Sequence, residues 1–565
     1  MLPSAALLAI ATFFIILGHD GRRVAQLLVL FLPAVLWMAW PVRTAGMRQL
    51  RRVAVVLLTL AFAADGMVRA YLMETYQSAP DSATVLGALA NTNAREMAEY
   101  MGMHWHTALL GLAMVLGTGA LVWRTTAPAD HAGSGPVRPP ARWQTITLAV
   151  ALVICSVAWV SKPWRRLHPL LYWPQLAQSV TALQAQWHDQ DERRAQLLQR
   201  AQALAPQMTL SGPSTVVLVI ADSINRDNMQ LYGYGRATTP RLLDMQRRHP
   251  EEMLVLRHAW SADASTLPSL NNLFGFGEPD AAQAQHLIAM ARTAGYKVWW
   301  MSNHDDIAVE QQHARLANVV DMVNRTPGRA SASLDGELLD CIQEALADPA
   351  ERKFIIVHLL GAHPHYRLRF PKGENPFDDE VDSVETQMVT QQRSALVRRH
   401  RQEYDAALLY HDFVVAESLR VTQLDAKAQE RRAWVYLSDH GQEVGHGENR
   451  AGHSPGTEAG YRIPTIVWTN HSRPAASANV AQRPFRADWA GWTVADILGL
   501  DWQGEMPERN VLNPQYRWQP PNLPVQVKSF TDCAACQASS LQPVRARAAN
   551  KVMEKRAHFG PWGAT

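Results

Sequence analysis

Nearly all the long apolar runs of this 565-residue chain fall in residues 1–161, at Leu2–Leu17, Val24–Trp40, Val53–Ala64, Thr107–Trp123 and Gln144–Val160. With its flanking residues, each run approaches the length needed to cross ~30 Å of hydrocarbon, and a helix is the form that satisfies its own backbone there. The chain is therefore expected to begin with a membrane domain of five helices. The first run lacks a basic leading segment and a small-residue cleavage site, and four more runs follow, so it reads as a retained span rather than a leader. The mean hydropathy of -0.16 conceals this division. Beyond residue 161 the composition is that of a soluble domain, and the length suits two or three domains in all. A net charge of +3 with no basic stripe gives no reason to expect a nucleic-acid partner.

The arginines of the short loops orient the spans. Arg43, Arg48, Arg51 and Arg52 follow the second run, and Arg124, Arg138 and Arg142 follow the fourth. The alternate loops carry Arg22 and Arg23, then Arg95 between Glu74 and Glu99. The positive-inside rule then puts the N-terminus in the cytoplasm and everything after Val160 outside. Lys162, Arg165 and Arg166 run against that count and suit anionic headgroups at the outer surface. Asp65, inside the third run, has Arg69 one turn away, which favours a paired residue near the interface.

Residues 162–213 read as a bridge, with Leu176, Val180, Leu183 and Trp187 at helical spacing on an amphipathic surface. The pattern then changes. Thr215–Ala221 (TVVLVIA) is a β-branched run of the kind buried on both sheet faces, and similar runs occur at Lys297–Ser302, Phe354–Leu360, Ala433–Ser438 and Ile463–Trp468. Helical stretches separate them. Residues 214–504 are thus expected to form an α/β domain with a mostly parallel central sheet and its active residues at the strands' C-terminal ends.

Two strand ends carry candidate chemistry. Thr215–Ala221 runs into Asp222-Ser223, and Ala433–Ser438 runs into Asp439-His440-Gly441. Two carboxylates and an imidazole suit Zn²⁺ with a position left open for substrate, although strand-end acids also cap helices. Cysteine is scarce. Cys155 and Cys341 stand alone, and Cys533 and Cys536 form a C-A-A-C that suits a local disulfide or free thiols better than a redox or zinc role.

The stretches Ala221–Arg226, Leu231–Arg236 with Thr238-Thr239-Pro240, Gly361-Ala362-His363-Pro364, Tyr404-Asp405, Ser438–Gly441 and Gly452-His453 occur in an order that resembles the phosphoethanolamine transferases of the alkaline phosphatase/sulfatase superfamily. The five-span start and Thr92-Asn93-Ala94-Arg95-Glu96 resemble the same family. What this implies is specific. Thr266, before Leu267-Pro268-Ser269-Leu270, matches the nucleophile at a helix start, where backbone N–H groups favour phosphoryl oxygens. Ser265 and then Ser261 are the alternatives, and an N-cap without chemistry is the bland one. Asp222, Thr266, Asp439 and His440 would hold one Zn²⁺. Asp263 and Asp305-Asp306 keep a second metal open. His363 and His453 match histidines that bind phosphate or exchange protons, and His365 and His446 compete for those roles. Thr92 and Glu96 suit the donor's ammonium headgroup, or a solvated helix face.

Three departures bear on the branch. Asp222 stands where Glu is usual, the bracing cysteines of lipid A-modifying members are absent, and Ala88 replaces an Asn one turn before Thr92. They imply a relative closer to members that modify lipopolysaccharide core or another glycan. The resemblance thus implies a bacterial inner-membrane enzyme with a periplasmic catalytic domain. It would move phosphoethanolamine from phosphatidylethanolamine to an envelope acceptor through a phospho-threonine. A phosphoglycerol transferase or phosphatase of the superfamily is the alternative chemistry, and an inactive membrane scaffold or sensor the alternative class. Residues 505–565 read as an irregular extension with no assigned task.

Overall fold

The structure, a computed structural model, describes residues 2–530 except 41, 43, 77–78, 81–82, 93, 128–141, 189, 282, 305–306, 324–332, 425, 427–428, 472–477 and 528–529. It divides into two compact units, Met1–Ala185 and Gln186–Thr565, the division falling inside the segment read as a bridge.

In the first unit the apolar runs are all helical: α1 (Leu2–Gly18), α2 (Gly21–Ala39), α3 (Ala45–Tyr76), α5 (Ala94–Thr125) and α6 (Arg142–Val160), with the short α4 (Ala83–Asn91) before α5. Among the described residues, Gly21–Ala39, Ala45–Thr75 and Glu96–Thr125 are long and apolar enough to cross a membrane, while Pro3–Gly18 and Ala149–Val160 are shorter apolar helices. Helices α1 and α3 touch backbone to backbone. A Cβ on Gly66 would lie 2.1 Å from the Phe14 carbonyl oxygen, and one on Gly18 would lie 2.6 Å from the Gly66 Cα. Small residues at a crossing allow this approach, which drives helix association where lipid offers no hydrophobic gain.

Beside that crossing Asp65 is buried, with Arg69 Nε donating to it at 2.9 Å as the one-turn spacing suggests. Two further partners come from elsewhere. His19 Nε2 lies 2.9 Å from Asp65 Oδ2, and Trp173 Nε1 donates to Oδ1 at 3.0 Å. Trp173 belongs to α8 (Pro169–His188), which follows the single-turn α7 (Lys162–Arg165). One acid therefore ties α3 to α8 and to the residue that follows α1, and the Arg69 guanidinium completes the cluster 4.1 Å over the Tyr172 ring.

The second unit opens with α9 (Asp191–Leu204) and is built on a seven-stranded sheet. In chain order its strands are β1 (Ser214–Ala221), β2 (Met253–Leu256), β3 (Lys297–Ser302), β4 (Val319–Met322), β5 (Arg352–Leu359), β6 (Arg431–Ser438) and β7 (Thr465–Thr469). They lie side by side as β2-β7-β6-β1-β5-β3-β4. The sheet is mixed: β6-β1, β1-β5, β5-β3 and β3-β4 pair parallel, and β7 pairs antiparallel with both β6 and β2.

The continuous apolar run of β1 has a direct physical reason. Val216, Leu218 and Ile220 enter the core on one face, and Val217, Val219 and Ala221 enter the core on the other. Two strands escape the sequence pattern. β2 is only four residues long, and β4 is a half-exposed edge strand carrying Asp321. Part of the C-terminal extension packs on this unit: Val511 is buried, and Trp260 Nε1 donates to the Phe530 carbonyl at 3.1 Å. Cys155 and Cys341 are buried, the Cys341 thiol 3.1 Å from Asp321 Oδ2, while Cys533 and Cys536 lie outside the described residues.

Candidate active site

Because β1 and β6 are parallel neighbours in register, Ala221 opposite Ser438, the residues just beyond them emerge side by side. Asp222 and Asp439 are both fully buried there. Between them the chain bends sharply at Ser223, whose φ of 63° is uncommon for a residue with a Cβ. The bend is held from three sides. The Ser223 N–H donates to Asp439 Oδ1 at 3.1 Å, its hydroxyl donates to Asp222 Oδ1, and its carbonyl accepts from Tyr404 at 2.7 Å. Such strain persists where surroundings over-determine it, as they do at functional sites.

His440 is fixed as firmly. Its Nδ1 lies 2.8 Å from the Gly441 carbonyl, which can only accept, so the proton sits on Nδ1 and the Nε2 lone pair faces the site. Asp439 Oδ1 is taken by the N–H groups of Ser223 and His440, which leaves Oδ2. Asp439 Oδ2 and His440 Nε2 are buried, have no hydrogen-bond partner among the described residues and stand 3.5 Å apart, and His440 Nε2 is 3.7 Å from Asp222 Oδ1.

Thr266 closes the fourth side. It is the first residue of α11 (Thr266–Phe274), and its hydroxyl donates to Asp222 Oδ2 at 3.2 Å. The intervening α10 (Pro240–Arg248) lies on the way from β1 to β2. Ser265 is the N-cap residue but makes no side-chain cap bond, and the buried Ser261 donates to the Asp439 carbonyl at 2.6 Å. Of the three hydroxyls, Thr266 is the one bonded to a carboxylate of the cluster.

These donors fit a cation. Buried polar atoms without partners cost free energy, and the set is carboxylate oxygen, imidazole nitrogen and hydroxyl, the ligand chemistry of Zn²⁺. One ligand atom from each of Asp222, His440 and His453 falls within 4.8 Å of the others, so His453, read from sequence as a phosphate residue, also borders the metal cluster. The carboxylates feel the crowding in opposite senses. Burial alone would raise Asp222, but the imidazoles of His363, His440, His304 and His453 outweigh it and hold it below the usual carboxylate range. Burial, with the Asp222 charge nearby, pushes Asp439 up.

His363 lies beyond β5, on a loop seated against Asp222 itself. Gly361 has φ 56°, and a Cβ there would meet the Asp222 carbonyl oxygen at 2.5 Å. The buried Asp335 accepts from the N–H groups of Leu360 (2.9 Å) and Gly361 (2.8 Å) and so pins the loop. The ring centroids of His363 and His453 are 6.2 Å apart, and those of His453 and His440 4.7 Å apart. Burial lowers both imidazoles, His453 to about 3, so each is neutral near pH 7 and offers one lone pair and one N–H.

The competing residues go elsewhere. His446 Nε2 is 2.6 Å from Asn228 Oδ1, and His365 starts the turn Tyr366–Leu368 in a left-handed conformation. Asp263 accepts from Asn272 at 2.7 Å, and Asp305 and Asp306 lie outside the described residues. Thr92 and Glu96 belong to the helical unit. The Thr92 hydroxyl donates to the Ala88 carbonyl at 2.7 Å, and Glu96 lies in the first turn of α5.

Several of the quoted motifs prove to be scaffolding. Asp405 accepts from Asn228 (2.9 Å), Tyr234 (2.7 Å) and Arg236 (2.8 Å), fastening the segment after β1 to the long helix Ala395–Gln423. Asp335 and His304 are site residues that sequence reasoning missed, and Ser223, named at its strand end, had no role there. His304 follows β3 at the sheet end where catalytic residues were expected, so the strand-end rule could have found it.

The sulfatase family matches residues 214–495. Phosphoethanolamine transferase EptC of Escherichia coli K12 is 28% identical over 474 residues, covering 77% of this chain and 78% of that one. The structure of the C-terminal periplasmic domain of E. coli EptC in complex with Zn aligns with a TM-score of 0.50 at 30% identity, covering 55% of this chain and 89% of that domain. The integral membrane lipooligosaccharide phosphoethanolamine transferase EptA of Neisseria meningitidis has the same fold over 89% of this chain and 98% of its own, with a TM-score of 0.55 at 19% identity. The chain thus belongs to the phosphoethanolamine transferase family of the alkaline phosphatase/sulfatase superfamily, and it stands nearer EptC than EptA.

Proposed function

We propose that this chain is a bacterial inner-membrane phosphoethanolamine transferase. In this reading it takes the headgroup from phosphatidylethanolamine and passes it, through a phospho-threonine at Thr266, to lipopolysaccharide core or another envelope glycan. The observation that carries the reading is the Thr266 hydroxyl, held at 3.2 Å from Asp222 beside the unpartnered Asp439 Oδ2 and His440 Nε2. The proposed layout is a five-span anchor (1–161), a bridge (162–213), a periplasmic catalytic domain (214–504) and an extension (505–565). Anchoring keeps the site beside a donor that never leaves the bilayer, which raises its effective concentration.

Asp222, Asp439, His440 and Thr266 would hold one Zn²⁺, which supplies Lewis acidity that lowers the pKa of the threonine hydroxyl. Thr266 Oγ forms a bond to phosphorus as the bond to the diacylglycerol oxygen breaks. The N–H groups that open α11 face the charge developing on the phosphoryl oxygens. His363 and His453 bind those oxygens, carry the threonine proton to the departing diacylglycerol, and later pass the proton of the acceptor hydroxyl to the Thr266 oxygen that it displaces. Thr92 and Glu96 would receive the ammonium end of the donor.

The test is full-length protein with zinc in vesicles of phosphatidylethanolamine or phosphatidylglycerol, following diacylglycerol release and the mass of added envelope glycolipid. Release from phosphatidylethanolamine, with one phosphoethanolamine gained by the glycolipid, supports the reading. Release from phosphatidylglycerol alone, or free phosphoethanolamine without a glycolipid product, replaces it with phosphoglycerol transfer or hydrolysis.

A further inference from the structure

Four imidazoles surround Asp222, and three of them, His363, His440 and His453, already have work in the proposed reaction. The fourth, His304, does not. It stands just past β3, 3% exposed, with Nε2 3.7 Å from Asp222 Oδ2, the oxygen that accepts the Thr266 hydroxyl.

The His304 ring is fixed by its neighbours. Its backbone N–H donates to Ser302 Oγ at 3.0 Å, and its face stacks on His358 with centroids 4.1 Å apart and planes 14° from parallel. His358 is fully buried, with Nδ1 3.2 Å from the same Ser302 hydroxyl. One serine therefore bonds the backbone of one stacked histidine and the ring of the other. His304 Nε2 also lies 3.1 Å from the Leu359 carbonyl, which can only accept, so Nε2 carries the proton. That N–H stands beside Asp222 as well.

Asp222 needs such a neighbour. The terminal torsion of an aspartate is broad and nearly two-fold, so nothing in the side chain itself decides which oxygen faces which partner. Here the oxygens have different tasks. Oδ1 faces the Ser223 hydroxyl and His440, and Oδ2 faces Thr266 and His304. We propose that His304 is a positioning residue, whose Nε2–H, bonded to the Leu359 carbonyl and 3.7 Å from Asp222 Oδ2, attracts that oxygen electrostatically and holds the carboxylate in the rotation that presents Oδ2 to Thr266. The inference rests on the reading above that Asp222 binds metal and Thr266 attacks.

Three variants of the full-length protein test it, each measured for zinc affinity by chelator competition, for the single-turnover rate of phospho-threonine formation, and for thermal midpoint without metal. His304→Phe keeps a stacking ring and removes the donor. His304→Gln carries an amide to about the place of Nε2, whereas His304→Asn is too short to do so. The expected result is a loss of roughly ten- to hundredfold in zinc affinity and adduct rate for Phe and Asn, the size usual for residues that orient metal ligands. The metal-free midpoints should stay near wild type, and Gln should recover most of both losses. Wild-type zinc affinity and rate in His304→Phe would overturn the proposal, as would equal impairment in Gln and Asn. If the Phe variant does not fold, the contrast between Gln and Asn decides alone. A wild-type protein that binds zinc but forms no adduct defeats the catalytic reading instead, and the zinc affinities still judge His304.

Discussion

The Thr266 hydroxyl lies 3.2 Å from Asp222 Oδ2 and joins residues 44 positions apart, one at the start of a helix and one at the end of a buried strand. Ser265, the preceding residue, is the N-cap and makes no side-chain cap bond. The two hydroxyls should therefore separate cleanly on substitution. Thr266→Ala is expected to lower donor turnover at least ~10³-fold, the scale of losing a nucleophile. Ser265→Ala should leave it within a few-fold, since serine-to-alanine at a cap costs only ~1 kcal/mol of stability. Diacylglycerol release from phosphatidylethanolamine vesicles reads both.

Gly361 gives a second prediction. Its left-handed conformation and the 2.5 Å approach of a Cβ to the Asp222 carbonyl leave no room for any side chain. Gly361→Ala combines backbone strain with overpacking against the metal strand, a cost of roughly 2–4 kcal/mol. Because the atom struck belongs to Asp222, zinc affinity should fall with the thermal midpoint. A variant with a wild-type midpoint and wild-type zinc affinity would show that the loop yields freely.

The Arg236–Asp405 pair predicts a purely structural effect. Both side chains are buried, and Asp405 also serves Tyr234 and Asn228. Asp405→Asn leaves a buried guanidinium short of one counter-charge, although Asp382 still pairs with it. The expected loss is about 3 kcal/mol, against roughly 1–2 kcal/mol for Tyr234→Phe, which removes the hydrogen bond to Asp405 and the one accepted from Arg401. Denaturation of the two variants in parallel checks the ratio.

Acid should destabilise the catalytic unit through buried histidines that are not among the metal-site residues. His286 Nε2 and His313 Nδ1 are 3.0 Å apart, so one ring donates and the other accepts, and His411 Nε2 lies 2.9 Å from the Tyr436 hydroxyl. Burial holds all three well below the usual imidazole range, His313 and His411 at about 3. In the unfolded chain each takes a proton as pH falls through ~6.5. The unfolded state then binds more protons, so stability is flat above that pH and falls below it, by roughly 2 kcal/mol per group at pH 5. Denaturation from pH 8 to pH 5 measures the fall, and His411→Phe should reduce its slope by up to ~1.4 kcal/mol per pH unit. An unchanged slope would mean that His411 is protonated in the fold.

Much of this was legible in residues because burial on both sheet faces leaves a plain mark. The apolar runs that became β1, β3, β5, β6 and β7 could be read directly, and so could the acids at the ends of β1 and β6. Strand β2 is too short to show a pattern, and β4 is an exposed edge. Asp65 and Arg69 were readable as a pair one turn apart, but His19 and Trp173 reach the same carboxylate from 46 and 108 residues away, which no local pattern records. The site divides in the same way. Asp222, Asp439 and His440 follow two neighbouring strands and His304 follows a third, so the strand-end rule reaches all four, whereas Asp335 joins the site through a loop contact that appears only once the chain is folded. Tyr404 and Asp405 drew notice as motif residues, and their partners place them in the scaffold.

The most direct measurement is the intact mass of the full-length protein, loaded with zinc, after incubation with phosphatidylethanolamine, beside Thr266→Ala and a chelator-stripped sample. The account predicts a single phosphoethanolamine on the wild type, mapped to Thr266, and none on either control. An adduct that persists in Thr266→Ala, or a zinc-loaded wild type that turns over donor without ever carrying one, would contradict it.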